Sequence, residues 1–542
     1  MGEPRPGLRK GERLVYRSQR FTRREALKLG ALGSAGLLLP LERYAGAAGG
    51  RAANRIRSSG LPAPFTVPFV TPPVAVPVRR DATTDFYRLT QQQALVEILP
   101  GKLTAIFGYN GVTPGPTIMA QRDRPVVVQQ INALPQVHPT LGYTPYTSTH
   151  LHGSPSLPEY DGYASDVTQP GQWKNYHYPN NHEACTFWYH DHAVGITAEN
   201  AYFGLAAQYQ LHDALEQSLG LPSGAYDVPL IIRDAMFAAD GSLIFDDNNH
   251  SGLFGDVILV NGKPWPAMRV ERRKYRFRML NASLSRSYRL RLSTGEPFTM
   301  IAGDDGLAPV PQQVADFRFG MAERYDTVID FSKYPIGQRV VLQNLQPKNN
   351  IEFANTDKVM AFDVVAEPST LDGNTIPDQL NPGSPTMALT EADAVRTRTF
   401  EFVRKHEQWT INGQTWTDVI ASNFTLLAAH PGFNDVEIWE LKNDSGGWFH
   451  PVHIHLIDFK ILDRNGKPPF DYEKAPKDTA YIGEDETVRV IMRFAKQVGK
   501  YMFHCHNLVH EDHDMMVQFE VGTSGHDPIT TDPARNGPAP AV

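Results

Sequence analysis

Residues 501–516 read YMFHCHNLVHEDHDMM, and the rest of the chain is understood from them. They hold Cys505, one of two cysteines in the chain, with His504 and His506 on either side. His510 follows five residues after the cysteine and Met515 ten residues after it. Thiolate, imidazole and thioether together are the ligand set of a blue-copper electron-transfer centre, a trigonal His₂Cys site with a weak axial Met. In an extended Tyr501–His506 segment, side chains alternate between faces with a period of two. Cys505 then points one way and His504 and His506 the other. One strand holds one metal by its cysteine and serves a second site through the neighbouring histidines.

Working outward, ten of the nineteen histidines fall into four clusters. His150-Leu151-His152-Gly153 and His190-Asp191-His192 lie early in the chain. His450-Pro451-Val452-His453-Ile454-His455 and the opening stretch lie late. A His-x-His pair on a strand presents two imidazoles on one face. Parity places His453 and His455 together and sends His450, three residues earlier, to the face of Cys505. His450, Cys505, His510 and Met515 therefore group as one site, and the other eight histidines group as a second. Imidazole suits Cu, Zn, Fe and Ni alike, so the identity of the metal rests on the Cys/Met site. A single His-x-His is commonly a core or surface pair; four such pairs, one of them enclosing a cysteine, are not.

The remaining sequence is consistent with this chemistry and excludes other kinds. At 542 residues several domains are expected, and 43 Gly and 42 Pro between short Val-, Ile- and Tyr-rich runs favour an all-β chain with many turns. The formal charge is −7; residues 1–47 carry ten Arg and Lys against four Glu, or +6, which leaves −13 on the remainder. An acidic body offers no footing for nucleic acid. Cys185, before the apolar run Phe187-Trp188-Tyr189, reads as a buried free thiol, so disulfides are not the means of stabilisation. At the N-terminus, Thr22-Arg23-Arg24, the apolar stretch 29–41 and Ala45-Gly46-Ala47 resemble a twin-arginine export signal, with Thr where Ser is usual and Ala where Phe is common. Beyond it no membrane span is expected, and the protein is expected outside the cytoplasm.

A weak repeat organises the body. Asn110-Gly111, Asn261-Gly262 and Asn412-Gly413 each mark a hairpin turn. Each is followed by a strand-like run ending in Asn: VVVQQIN to Asn132, YRFRMLN to Asn281 and VEIWELKN to Asn443. Three β units account for the length. The expected boundaries lie near Asp213–Tyr226, where Ala214–Leu219 reads as a short helix or loop, and in the Pro-rich stretch Glu367–Met387.

These four histidine motifs resemble a three-domain multicopper oxidase from about Ala82 to Val521. WFHPVHIHLIDFKIL and YMFHCHNLVHEDHDMM are most similar to the bilirubin oxidase and bacterial spore-coat laccase branch. The resemblance implies three cupredoxin-like Greek-key β-barrels: 81–215, 225–368 and 395–523, after an export signal (1–47) and an extended segment (48–80), with a linker at 369–394 and a tail at 524–542. It implies four copper ions. His450, Cys505, His510 and Met515 bind type 1 copper; His150 and His453 bind type 2; His152, His190, His192, His455, His504 and His506 bind the type 3 pair. The middle domain, with none of the clustered histidines, is a spacer and a wall of the substrate groove.

The activity implied couples four one-electron oxidations of a phenolic, aminophenolic or tetrapyrrole substrate to reduction of O₂ to two waters, electrons crossing from Cys505 to His504 and His506. The resemblance makes Asp161 and Glu511 candidates for proton delivery; Asp161-Gly162 is otherwise a turn and Glu511 a solvated or salt-bridged carboxylate. Trp448 reads either as a lining of the type 1 site or as packing, and Asn507 either as a partner of the thiolate or as a turn residue. A cuprous or ferrous oxidase is the alternative, but the 13 methionines form no Met-rich segment. A cell-envelope scaffold without activity would have eroded ligands, and copper nitrite reductases usually have two domains and fewer histidines. Replacing an axial Met raises the potential of such a centre. Met515→Leu should therefore raise the type 1 potential in a redox titration and keep the blue colour; an unchanged titration excludes Met515 as the axial ligand.

Overall fold

The structure is a computed structural model that describes residues 55–542; the export signal expected at 1–47 lies outside them. Strands dominate, in six sheets that pair into three two-sheet barrels. The first joins a sheet built around Asp85–Glu97, Val126–Asn132 and Gln172–Tyr178 to one containing Thr149–His152 and Cys185–Asp191. The second holds Asp227–Ala235, Lys274–Asn281 and Arg324–Asp330 in one sheet and Tyr288–Leu292 and Lys358–Ala366 in the other. The third sets Arg396–Lys405, Val436–Asn443 and Thr487–Arg493 against His450–Ile454, Thr479–Ile482, Gly499–Cys505 and Met516–Val521. Phe400, Trp439 and Val490 from one sheet meet Val452, Phe503 and Phe519 from the other in its core.

The Asn-Gly repeat proves to be one piece of architecture used three times. Both residues of each pair have positive φ, between 49° and 78°, the conformation a two-residue hairpin requires and Asn-Gly tolerates. Each turn Asn accepts a backbone N–H from the strand beside it: Asn110 from Thr90, Asn261 from Ile231 and Asn412 from Glu401. That strand in turn runs parallel to the run ending in the second Asn, with Gln91 opposite Asn132, Ile232 opposite Asn281 and Phe402 opposite Asn443. Each terminal Asn is buried and donates to two carbonyls; for Asn281 these are Arg286 and Phe319.

Two of the strands that carry histidines are buried more fully than a sheet strand with one wet face. The first eight residues of Asp85–Glu97 alternate buried and half-buried, as in a sheet with one wet face. His450–Ile454 and Cys185–Asp191 are buried at every residue. Leu151, Tyr189 and Cys185 fill the barrel core while the histidines take the other face. Cys185 is a buried free thiol, and Ala214–Ser218 is a short helix. Residues expected to be a tail contribute an edge strand: Arg535 and Asn536 pair with Trp173 and Gln172 of the first barrel. Asn281→Ala would strand the Arg286 and Phe319 carbonyls in the interior. It should cost about 3 kcal/mol in chemical denaturation; a loss within error would show that these bonds are replaceable.

Candidate metal centres

Strand pairing places the late motifs. His450–Ile454 and Gly499–Cys505 are antiparallel neighbours, with Val452 opposite Cys505 and His453 opposite His504. Directly opposed residues share a face, so Cys505 lies with the even-numbered residues 450 and 452, and His504 with His453. His450 Nδ1 is 3.2 Å and His510 Nδ1 3.7 Å from Cys505 Sγ, and all three side chains are buried. Met515 is fully buried and tied to the same loop: Cys505 N donates to Met515 O, and Met515 N to His510 O.

Hydrogen bonds set which nitrogen of the His450 ring faces the sulfur. Asn443 Oδ1 accepts from Ser445 Oγ–H at 2.5 Å, and Ser445 Oγ accepts from His450 Nε2–H at 2.6 Å. The Nδ1 lone pair of His450 is therefore left toward Cys505. His510 Nε2 lies 3.1 Å from Asn507 Nδ2 and 3.3 Å from Ser251 O. Asn507 N–H donates to Sγ at 3.4 Å, while the Asn507 side chain caps the helix Leu508–Asp512 and accepts from Ser285 Oγ. Asn507 thus fills both roles read from its position. Trp448 is half-buried, edge-on to the His510 ring at 5.7 Å. Trp409, which the sequence motifs do not single out, stacks on His510 at 3.8 Å and 25°.

The other eight histidines gather in one buried cluster between the first and third barrels. His150 faces His190 across paired strands, and His152 lies on the same face. His150 Nε2 lies 3.3 Å from His453 Nε2. His504 Nε2 is 3.1 Å from both His192 Nε2 and His455 Nε2. The His152, His190 and His506 rings lie 5.2 to 5.9 Å apart. Burial holds His190 down at about 3 and His192 at about 4, and takes His150, His152, His453, His455 and His506 well below the usual range.

Five rings are anchored at Nδ1 and turn Nε2 inward. His150 donates to Asp161 O (2.5 Å), His190 to Asp191 O (2.8 Å), His453 to Asp478 O (3.0 Å) and His455 to Asp161 Oδ2 (2.7 Å). His504 Nδ1 lies 3.0 Å from Glu511 Oε2. His152 is turned round: its Nε2 is 3.0 Å from Asp478 Oδ1, and its buried Nδ1 has no hydrogen-bond partner. His190 Nε2 and both nitrogens of His506 are likewise buried without one. Neutral imidazoles with lone pairs converging at such distances repel one another unless a cation lies among them, and burial excludes the proton. The donor sets therefore fit bound metal: an all-imidazole cluster, and a separate soft site of two imidazoles and a thiol.

Both predicted carboxylates lie at this cluster. Asp161 touches His150 through its carbonyl and His455 through its carboxylate; burial pushes its carboxyl well above the usual range. Its turn role is real as well: Gly162 has φ +75°, and a Cβ there would come within 2.6 Å of the His150 backbone. Glu511 Oε1 is 3.7 Å from His192 Nε2. Burial alone would raise Glu511, but His504 and His192 hold it down at about 2.

Two supporting residues were not found from sequence. Asp478 orients both His152 and His453, and Arg324 of the middle barrel clamps both Asp478 oxygens at 2.7 and 2.6 Å. Against the cost of burial, Arg324 pulls Asp478 below the usual carboxylate range. The middle barrel is thus more than a spacer: it supplies the counter-charge behind the histidine cluster and, through Ser251 and Ser285, contacts behind the cysteine site.

With this geometry in place, comparison with known proteins identifies the family. Two multicopper oxidase family models match residues 90–214 and 389–525. The chain is 41% identical over 480 residues to a bilirubin oxidase from Albifimbria verrucaria, covering 84% of this chain and 81% of that protein. This chain is a multicopper oxidase. A laccase from Bacillus subtilis is 33% identical, covering 83% of this oxidase and 97% of its relative. A laccase structure from Pediococcus acidilactici superposes with a TM-score of 0.75 at 29% identity, covering 85% and 95% of the two chains. The oxidase therefore has three cupredoxin-like domains, takes copper, and is an oxygen-dependent oxidoreductase of the laccase or bilirubin oxidase type. Anchors behind metal-binding histidines commonly contribute 10- to 100-fold in affinity. Asp478→Asn should weaken copper retention at the histidine cluster by roughly that factor against a competing chelator; unchanged retention would make Asp478 a packing residue.

Proposed function

We propose that the oxidase binds four coppers and oxidises small phenolic, aminophenolic or tetrapyrrole reductants outside the cytoplasm. His450, Cys505, His510 and Met515 hold the type 1 ion. His150 and His453 hold the type 2 ion. His152, His190 and His506 hold one type 3 ion, and His192, His455 and His504 the other. Copper bound at these positions supplies the one-electron chemistry and the reduction of O₂ to water. The observation that carries the reading is the register of one strand pair, which sends Cys505 to one face and His504 to the other.

The chain itself does the rest. Trp448, half-buried beside His510, is the surface that a planar aromatic reductant meets. From Cys505, adjacent peptide bonds lead to His504 and His506, so electrons have a covalent route between the two sites. Asp161 and Glu511 approach the histidine cluster through different rings and deliver protons to it. The paired arginines near the N-terminus favour the twin-arginine route of export; among the described residues no helix is long and apolar enough to cross a membrane.

The copper-loaded protein should contain four coppers per chain, absorb strongly near the red end of the visible, and consume O₂ with a phenol or with bilirubin. A colourless protein without O₂ uptake would refute the reading. Proton transfer by a positioned side chain contributes typically 10²- to 10⁴-fold. Asp161→Asn and Glu511→Gln should each lower kcat by roughly 10²-fold and reshape its pH profile, with copper content retained. Full turnover across the pH range in both variants would remove them from proton delivery.

A further inference from the structure

After the strand Met516–Val521 of the third barrel, the chain crosses to the first barrel. Gly525 packs on Gly499, the first residue of the strand that ends in Cys505. A Cβ on Gly525 would overlap Gly499 Cα, and one on Gly499 would come within 2.6 Å of Pro158 Cγ. His526 Nδ1–H then donates to Glu159 Oε1 at 2.6 Å. Tyr160 Oη–H donates to Asp532 Oδ2 at 3.2 Å, and Asp532 also pairs with Arg535. Beyond the edge strand Arg535–Asn536, Pro540 O accepts from Arg88 at 2.6 Å and from Gln129 at 3.1 Å, both on strands of the first barrel.

Pro158, Glu159 and Tyr160 form a single 3₁₀ turn, and Asp161 closes it, its N–H donating to Pro158 O at 3.4 Å. The three side chains ahead of Asp161 are thus each fixed from outside the turn. Glu159 is buried, and among the described residues its only hydrogen-bond donor is His526, whose own side chain is 55% exposed. Its other oxygen, Oε2, is buried without a partner. A buried carboxylate that loses its donor is costly, so removing the imidazole drives Glu159 toward water and shifts the turn. Asp161 has little room for such a shift, because its carbonyl holds His150 and its Oδ2 holds His455 at 2.7 Å. Asp161 belongs to the first barrel and His455 to the third, and the C-terminal segment ties the same two barrels. We propose that residues 524–542 are a clasp that positions Asp161, with Glu159 and His526 as the positioning residues, an inference that rests on the proton-delivery role proposed for Asp161.

The test compares copper-loaded, full-length His526→Ala and His526→Gln with the wild type, each alone and combined with Asp161→Asn. Hydrogen exchange read by mass spectrometry reports on the backbone of 157–161, and kcat is measured against pH. A misplacement of about 1 Å at a reacting group can cost roughly 10²-fold. His526→Ala should exchange faster at 157–161, lower kcat roughly tenfold and shift its pH profile, with copper content and visible absorption retained. His526→Gln, whose amide N–H can still donate to Glu159, should restore both readouts. In the Asp161→Asn background, His526→Ala should lower kcat no further. Unchanged exchange and an unchanged pH profile in His526→Ala overturn the clasp. An equal loss of kcat in the Asp161→Asn background overturns action through Asp161. Faster exchange at 157–161 beside full turnover in Asp161→Asn would sink proton delivery by Asp161 and leave the clasp on the turn standing.

Discussion

Everything in this molecule depends on one antiparallel register, Val452 opposite Cys505 and His453 opposite His504. Because strand side chains alternate, this pairing sorts a run of ligands onto two faces without a change of backbone direction. A slip by one residue would carry the thiol into the imidazole cluster and His504 to the cysteine site. The register is fixed by burial on both faces. Val452, Phe503 and Cys505 pack in the core of the third barrel, and the opposite face packs histidine against histidine from the first.

Gathering eight imidazoles away from water is expensive, and the fold offsets the cost by anchoring the nitrogen that does not face the centre. Main-chain carbonyls of Asp161, Asp191 and Asp478 do much of this work, so ring orientation follows from backbone geometry. The carboxylates of Asp478 and Glu511, both held below the usual range, supply negative charge toward the positive charge the cluster is built to receive. Arg324 balances Asp478 from a third direction. Removing one member of a buried ion pair costs about 3–5 kcal/mol, so this clamp joins the middle barrel to the other two as well as to the chemistry.

Much of this was legible in the sequence because it is local. The Asn-Gly turns, the strands ending in Asn132, Asn281 and Asn443, and the sorting of His450 from His453 all follow from short-range spacing. Asp161, nine residues after His152, and Glu511, next to His510, were named because the resemblance implies them. What stayed hidden is long-range: Arg324 meets Asp478 across 154 residues of chain, and Arg535 joins a sheet whose partner strand holds Trp173. Trp409 was hidden for another reason. A Trp beside an Asn-Gly turn carries no local mark of the ring it covers, here His510.

The central claim is that adjacent residues of one strand serve separate metal centres. It is tested most directly by counting copper and recording the visible and paramagnetic spectra of Cys505→Ser beside the wild type. The account predicts that the variant loses the strong visible absorption and one copper, and keeps the three held by the histidine cluster. A variant that retained its colour, or one that folded but surrendered all four coppers together, would contradict it.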